Sequence, residues 1–387
     1  MKRRSLFSLL IAGSAGAALA RGNFGAAGAG SLASAPSRSR SVLVFLELRG
    51  GNDGLNTVAP IADPLYHQAR PSLAFADGLP LAAGLALHPA LSPLLPLWQS
   101  QRLAFALGVG WPRPNRSHFK ATDQWATASP SGEGSGWLAA AFDQRQHPGP
   151  LLALGPAGCP AMEGGETLAI QLSPAELQGR PGASFNPQGA GANAVLGQML
   201  ALEQAGHQQL QLLRQQLAPL PPGLEIPRGG LGQQVALALR MIGGGACPPV
   251  IQLAQGGYDT HSNQAARHGR VLRELAAALA AFAAGLERLP NRPSVTVLAV
   301  SEFGRRLREN GSRGTDHGSA SVALLLGDRL SDRLLGRYPS LSQLDERGDL
   351  IPGLTPPDLY GQVLGIAGSA TSSEKTMLMS TAQGPIN

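Results

Sequence analysis

Short apolar runs alternate along this chain with long helical stretches. The runs span 42–48 (VLVFLEL), 103–109 (LAFALGV), 250–253 (VIQL), 294–300 (SVTVLAV) and 321–326 (SVALLL). Helices are predicted over 194–217, 230–242 and 263–289, and the last repeats apolar residues with the period of a helix, at Val271, Leu272, Leu275, Leu279 and Phe282. Short buried strands alternating with long helices predict an α/β fold, in which a central, mostly parallel sheet carries helices on both faces.

Four of these strands lead into loops that carry metal-binding or nucleophilic side chains. The loops are 50–57 (GGNDGLNT), 114–118 (PNRSH), 256–263 (GGYDTHSN) and 301–305 (SEFGR), the last followed by 314–318 (GTDHG). Ligands of open parallel sheets bind outside the carboxyl ends of the strands, so we expect these loops to converge on one edge. An Asp between glycines is by itself more typical of a turn, and it is the convergence that predicts a metal site.

Carboxylates and imidazoles are the predicted metal ligands. They are Asp53, Asp259, His261, Glu302, Asp316 and His317. Mixed oxygen and nitrogen donors suit a divalent metal such as Zn, Mn, Mg or Fe, whose identity and number the sequence leaves open. Asp259 and His261 are two residues apart, so in extended backbone their side chains leave the same face.

Other polar residues of the same loops are expected to support the ligands or to contact the substrate. They are Asn52, Asn56, Asn115, Arg116, His118 and Arg305, of which His118 could also supply an imidazole nitrogen. Ser117 precedes a predicted helix over 118–125, where a bound anion would meet free backbone amides. Two interpretations of Ser117 stay open, a nucleophile activated by a metal and a helix N-cap.

The first twenty residues are typical of an export signal. Residues 2–4 (KRR) are basic, and the apolar run 6–20 ends in ALA, a small-x-small cleavage pattern. The paired arginines favour the twin-arginine route, and hence a periplasmic or extracellular protein. The run is shorter than the ~20 residues that span a bilayer, so we expect no stable transmembrane segment in the mature protein; a retained anchor is the alternative.

The segment after the signal changes how the net charge is interpreted. Residues 21–41 are rich in Gly, Ala and Ser, which predicts a disordered tether. The chain has 31 basic and 25 acidic residues, but six of the basic ones and none of the acidic ones lie in the first forty residues, leaving 25 of each from Ser41 onward. A nucleic-acid-binding domain carries a clustered basic face, so we expect no nucleic-acid partner.

Residues 42–387 are predicted to form one α/β domain with an irregular, Gly- and Pro-rich insertion at about 155–193. The two cysteines, Cys159 and Cys247, show no metal-ligand spacing. An oxidising periplasm would permit them to pair, and two buried free thiols are the alternative.

Six motifs, taken in order, resemble an exported bacterial family known as domain of unknown function 1501. They are RGGNDGLNT (49–57), NRSHF (115–119), SGWLAAAFD (135–143), GGYDTHSNQ (256–264), SEFGR (301–305) and GTDHG (314–318). That family is similar to the alkaline phosphatase and sulfatase superfamily, whose members hold one or two divalent metals at the carboxyl edge of a central sheet. The resemblance implies an alkaline-phosphatase-like architecture.

The resemblance also implies roles for individual residues. Asp53 would be the first metal ligand and Ser117 the nucleophile, while the Asp-plus-His sets would be Asp259 with His261 and Asp316 with His317. The chain departs from the superfamily in the spacing of both sets. It also lacks Cys-x-Pro-x-Arg, since 159–162 reads CPAM, which excludes a formylglycine sulfatase mechanism.

The function expected from these features is metal-dependent hydrolysis of phosphate or sulfate esters, with Ser117 or a metal-bound water as nucleophile. The substrate would be a small-molecule or polysaccharide ester. The alternative is a non-catalytic periplasmic binding or scaffold protein that keeps the fold, because fold does not imply function.

Overall fold

The computed structural model describes residues 41–368, except 83, 146–148, 175–193, 245–247, 329 and 331. The predicted export signal, nearly all of the tether, half of the predicted insertion and Cys247 lie outside these residues. Among the described helices, none is long and apolar enough to cross a lipid bilayer.

The described residues form strands, α-helices and short 3-10 turns. The strands are β1 Ser41–Leu48, β2 Val58–Ala59, β3 Leu79–Ala82, β4 Leu85–Leu87, β5 Leu103–Val109, β6 Leu151–Ala153, β7 Ala169–Gln171, β8 Val250–Gln255, β9 Ser294–Val300, β10 Arg305–Glu309, β11 Thr315–His317, β12 Ser321–Leu326 and β13 Leu334–Gly336. The α-helices are α1 Pro64–Ala69, α2 Leu95–Gln99, α3 His118–Ala126, α4 Trp137–Asp143, α5 Ala194–Gln215, α6 Gly230–Gly243, α7 Gln264–Arg288 and α8 Pro356–Gly368. Short 3-10 turns lie at Gly54–Asn56, Pro89–Leu94 and Pro160–Met162.

Eight of the described strands form the central sheet, in the order β13-β5-β12-β9-β1-β8-β6-β7. β1 is parallel to both of its neighbours, β8 and β9. β12 is antiparallel to β5 and to β9, so β5 points the same way as β1. The carboxyl ends of β1, β5, β8 and β9 therefore lie at the edge where β12 begins. The predicted mostly parallel α/β sheet is confirmed.

Side chains of the sheet alternate between two apolar layers. Val42, Val44 and Leu46 pack in the layer that contains α6 and α7, whereas Leu43 and Phe45 pack in the opposite layer with α3, α4 and α8. This alternation follows from the two-residue period of a strand. Both faces are apolar because helices cover both, which explains why β1 is apolar almost throughout.

The five strands predicted from apolar runs are all present, and the run at 250–253 extends to Gln255. The three predicted helices are also present, as α5, α6 and α7. Residues 169–171 lie inside the region predicted to be an irregular insertion, yet they form the edge strand β7 by pairing parallel with β6.

Candidate metal centre

The strand-end loops lie together at the carboxyl edge of β1, β8 and β9, where the side chain of Arg305 forms hydrogen bonds with three of them. Arg305 is fully buried, and its Nε donates to the carbonyl oxygen of Gly51 over 2.8 Å. Its other nitrogens donate to the carbonyl oxygens of Thr315 (2.8 Å) and Tyr258 (3.0 Å) and to Asp259 Oδ1 (2.8 Å). Arg305 thus fixes three loops that are far apart in sequence.

Three potential metal ligands meet at this edge. One atom each from His118, Asp259 and His317 lies within 4.8 Å of the other two. Asp259 Oδ1 is 3.2 Å from His317 Nε2, and Asp259 Oδ2 is 3.6 Å from His118 Nε2. His261 lies beside them, with its Nε2 3.1 Å from Asp259 Oδ1 and 2.9 Å from His317 Nε2. We call these four side chains the His–Asp cluster.

The other ring nitrogen of each histidine faces a group that accepts hydrogen bonds. His118 Nδ1 lies 2.7 Å from Glu302 Oε1, and His317 Nδ1 lies 2.8 Å from the carbonyl oxygen of Arg116. His261 Nδ1 is 3.4 Å from Asp316 Oδ1. An ionised carboxylate or a carbonyl can only accept, so in the neutral rings of His118 and His317 the proton belongs on Nδ1 and the lone pair on Nε2. Second partners of this kind orient histidine ligands in metal sites.

This tautomer leaves electron pairs facing one another. His261 Nε2, His317 Nε2 and Asp259 Oδ1 are separated by 2.9–3.2 Å, and when the neutral His261 ring has the same tautomer none of the three supplies a hydrogen to the others. Such an arrangement is favourable only with a cation among the lone pairs, either a proton or a metal ion. Burial lowers the pKa of His317, which disfavours the proton. The donor set therefore fits a divalent metal.

Charge on the cluster is also suited to a cation. Burial raises the pKa of Asp259, but the hydrogen bond and the positive charge of Arg305 outweigh it and hold the pKa below its usual range. Asp259 is therefore ionised at neutral pH. Imidazole nitrogens with one carboxylate suit Zn, Mn or Fe better than Mg, which prefers oxygen ligands.

Asp53, Glu302 and Asp316 were predicted to share an ion with His317, and the structure groups the residues differently. Glu302 stands behind His118 and accepts from its Nδ1, and Asp316 stands behind His261 with Oδ1 3.4 Å from Nδ1. Asp53 is outside the group of three ligands and is fully buried. The physical reason is Arg70, whose Nη1 pairs with Asp53 Oδ2 at 2.5 Å and neutralises its charge. His118, predicted mainly as a supporting residue, lies in the group of three potential ligands instead.

Asn52 and Asn56 have structural contacts at the end of β1. The backbone of Asn52 is held by the hydroxyls of Ser301 and Ser321, and its side chain lies 2.9 Å from His268 Nε2. Asn56 Oδ1 accepts from Arg70 Nη1 over 2.7 Å. Both asparagines are buried, so neither is available to a substrate.

Asn115, Arg116 and Ser117 form the turn that leads into α3. Asn115 Oδ1 accepts from the backbone N–H of Ser117 at 3.0 Å, and Arg116 pairs with the buried carboxylate of Asp349. Ser117 is exposed and occupies the N-cap position of α3, yet its side chain makes no capping hydrogen bond. Its hydroxyl is therefore not used by the helix end next to His118.

Four residues of the site had no role assigned from the sequence. Phe303 is buried with its ring 4.9 Å from the His118 ring and 4.5 Å from the His317 ring, so it supports both imidazoles. Gln264 and Arg70 contact Asp53, and Asp349 pairs with Arg116. Phe303 and Gln264 lie within the SEFGR and GGYDTHSNQ motifs, which is the one signal that could have found them. Arg70 and Asp349 lie in no motif.

Residues 104–343 match a family model whose description is "Protein of unknown function (DUF1501)". This chain belongs to that family. The region that matches the DUF1501 model contains all four residues of the His–Asp cluster, whereas Asp53 and Arg70 precede it. No curated protein matches the chain.

Solved structures similar to this DUF1501 chain share little sequence with it. The C-terminal periplasmic domain of EcEptC from Escherichia coli, in complex with Zn, is 9% identical, covers 86% of this chain and 83% of its own, with a TM-score of 0.38. A protein in the alkaline phosphatase superfamily from Vibrio parahaemolyticus is 12% identical over 86% of this chain and 67% of its own (TM-score 0.39). Ps i-CgsB, in complex with k-i-k-neocarrahexaose, is 10% identical over 87% and 74% (TM-score 0.39). Likenesses of this strength say nothing about activity.

Proposed function

We propose that this DUF1501 protein is an exported, metal-dependent hydrolase of phosphate or sulfate esters. His118, Asp259 and His317 would hold a divalent ion, with His261 beside them. The observation that carries the proposal is the convergence of three imidazole Nε2 atoms on the Asp259 carboxylate, with Nδ1 of His118 and of His317 held by an acceptor on the other side of each ring. Export is supported by the N-terminal sequence.

A divalent ion at this centre would supply Lewis-acid polarisation of the ester and stabilisation of the charge on the leaving oxygen. The chain's own residues hold the potential ligands in the orientation and ionisation state that such an ion needs. Glu302 and the Arg116 carbonyl hold the two imidazoles in the ligating tautomer, and Phe303 fixes their ring planes. Arg305 keeps Asp259 ionised and in place.

Ser117 is the proposed nucleophile. Its hydroxyl is exposed, makes no cap bond, and precedes His118 at the start of α3. The partial positive charge at the start of this helix favours a bound phosphate or sulfate. Attack by Oγ would form a bond to phosphorus or sulfur while the bond to the ester oxygen breaks, and the serine proton would leave with the alcohol. Water would then release the acid and restore the serine.

A substrate panel tests the proposal. Metal-loaded protein is assayed against phosphate monoesters, phosphate diesters and sulfate esters, with His317→Ala as the variant that removes a ligand. We expect turnover of at least one class by the wild type and its loss in His317→Ala. Absence of turnover across the panel by fully metal-loaded protein would reject the hydrolase and favour the non-catalytic binding protein.

A further inference from the structure

A buried arginine takes the place of a cation at Asp53. Both side chains have no exposed surface, and the Arg70 guanidinium lies 2.5 Å from Asp53 Oδ2. The same guanidinium donates to Asn56 Oδ1 (2.7 Å) and to the carbonyl oxygens of Leu307 and Arg306 (2.8 Å each). Arg70 therefore fills a cage of four oxygen acceptors, which are the atoms that a hard divalent cation would otherwise use.

The other contacts of the Asp53 carboxylate also disfavour a metal ion at this position. Gln264 Nε2 also donates to Asp53 Oδ2, so that oxygen has two donors. Oδ1 has no hydrogen-bond partner, but an ion bound there would share one carboxylate with a buried guanidinium. Two cations that close, away from water, repel strongly.

We infer that Arg70 replaces a second metal ion at Asp53, so that the chain binds a single divalent ion, at the His–Asp cluster. This inference rests on the proposed metal centre and sets its stoichiometry. Asp53 is then a structural carboxylate that joins the loop after β1 to the residues after α1 and in β10. Asp53 lies in the motif that resembles a metal-binding loop, and the Arg70 guanidinium neutralises its charge.

Metal counting on the full chain tests the inference. The protein is stripped with a chelator, reloaded with excess Zn²⁺ or Mn²⁺, desalted, and its metal per chain is measured by inductively coupled plasma mass spectrometry. The key variant is Asp53→Asn with Arg70→Gln, which removes both charges together and leaves no unpaired buried ion. Asp259→Asn is the control that removes a ligand of the cluster. Circular dichroism shows which variants fold.

We expect one ion in the wild type, one ion in the double variant, and loss of the ion in Asp259→Asn. Two ions in the wild type would overturn this inference and leave the proposed hydrolase standing. Loss of the ion from a folded double variant would also overturn it, because Asp53 would then be a ligand. Folded wild-type protein without any ion would overturn both proposals. If the double variant does not fold, the wild-type count alone decides.

Discussion

At the scale of single residues, the centre depends on which nitrogen of each imidazole carries the proton. Glu302 and the carbonyl oxygen of Arg116 accept from Nδ1 of His118 and His317, which turns both Nε2 lone pairs towards Asp259. The hydrogen bond to Glu302 raises the pKa of His118, so this imidazole is protonated over a wider pH range than an isolated imidazole. A metal ion that binds to His118 has to displace that proton. The orientation of the potential ligands His118 and His317 is thus set by groups outside the His–Asp cluster.

Removing Glu302 should weaken metal binding without removing a ligand. Loss of such a supporting group typically costs about 10–100-fold in metal affinity, and we expect this for Glu302→Ala. Glu302→Gln should lose less, because its amide oxygen can still accept from His118 Nδ1. Affinity is measured by competition with a chromogenic chelator. Glu274→Ala, which removes an exposed carboxylate on α7, is the control. Equal affinities of Glu302→Ala and wild type would exclude this role.

Ser117→Ala separates a nucleophile from a helix cap. Because the Ser117 side chain makes no cap bond, we expect the free energy of unfolding to change by no more than about 0.5 kcal/mol. Turnover of the ester identified in the panel should be abolished with metal content unchanged. Turnover close to that of the wild type would show that water attacks directly. A stability loss near 1 kcal/mol would indicate a cap that forms in solution.

At the scale of elements, tight turns after the strands bring the loops against the centre. Gly51 follows β1 with φ +73°, and a Cβ atom at this position would lie 2.3 Å from the Phe303 ring. Phe303 in turn packs on the rings of His118 and His317. The backbone of the β1 loop and the imidazole planes are therefore linked through one aromatic ring.

Gly51→Ala should consequently reduce both stability and metal affinity. The left-handed backbone alone costs an alanine about 1–2 kcal/mol, and the clash displaces Phe303 in addition. Chemical denaturation and chelator competition measure the two effects. Gly256→Ala is the matched control, because a Cβ there meets nothing within 4 Å. If Gly51→Ala lowered stability but left metal affinity unchanged, Phe303 would not transmit the strain.

The elements were predictable from the sequence because their signals are local. The apolar runs gave β5 and β9 their bounds, and the apolar period of α7 placed Leu275 and Leu279 in the core, where both are buried. For the site, the sequence predicted only that several strand-end loops meet at one edge of the sheet. Nothing local shows that Arg70 neutralises Asp53, or that Glu302 lies behind His118, since these partners are 17 and 184 residues apart.

At the scale of the whole molecule, two neutral histidines, one buried and one partly buried, make stability depend on pH. Burial lowers the pKa of His268 to about 3 and that of His88 to about 4. In the unfolded chain a histidine titrates near 6.5. Below pH 6.5 the unfolded chain therefore binds protons that the folded chain does not. The stabilisation is complete above pH 6.5 and is lost as the pH falls from 6.5 towards 4 and 3.

For His268, which is fully buried, the loss between pH 7.5 and 5 should be about 2 kcal/mol of unfolding free energy. His268→Gln keeps an N–H that can donate to Asn52 but does not titrate, so its stability should fall less over the same range. Urea denaturation at both pH values gives the comparison, and His67→Asn, at an exposed position, is the control. Parallel profiles for wild type and His268→Gln would show that His268 does not titrate as described.

The location of a bound metal tests the central claim most directly. Crystals of the full chain grown with Zn²⁺ can be measured on both sides of the zinc absorption edge, and the anomalous difference density marks the ion. We predict one strong peak bounded by Nε2 of His118, Nε2 of His317 and the carboxylate of Asp259. A peak at Asp53, or none at the His–Asp cluster in protein loaded with Zn²⁺, would contradict the account.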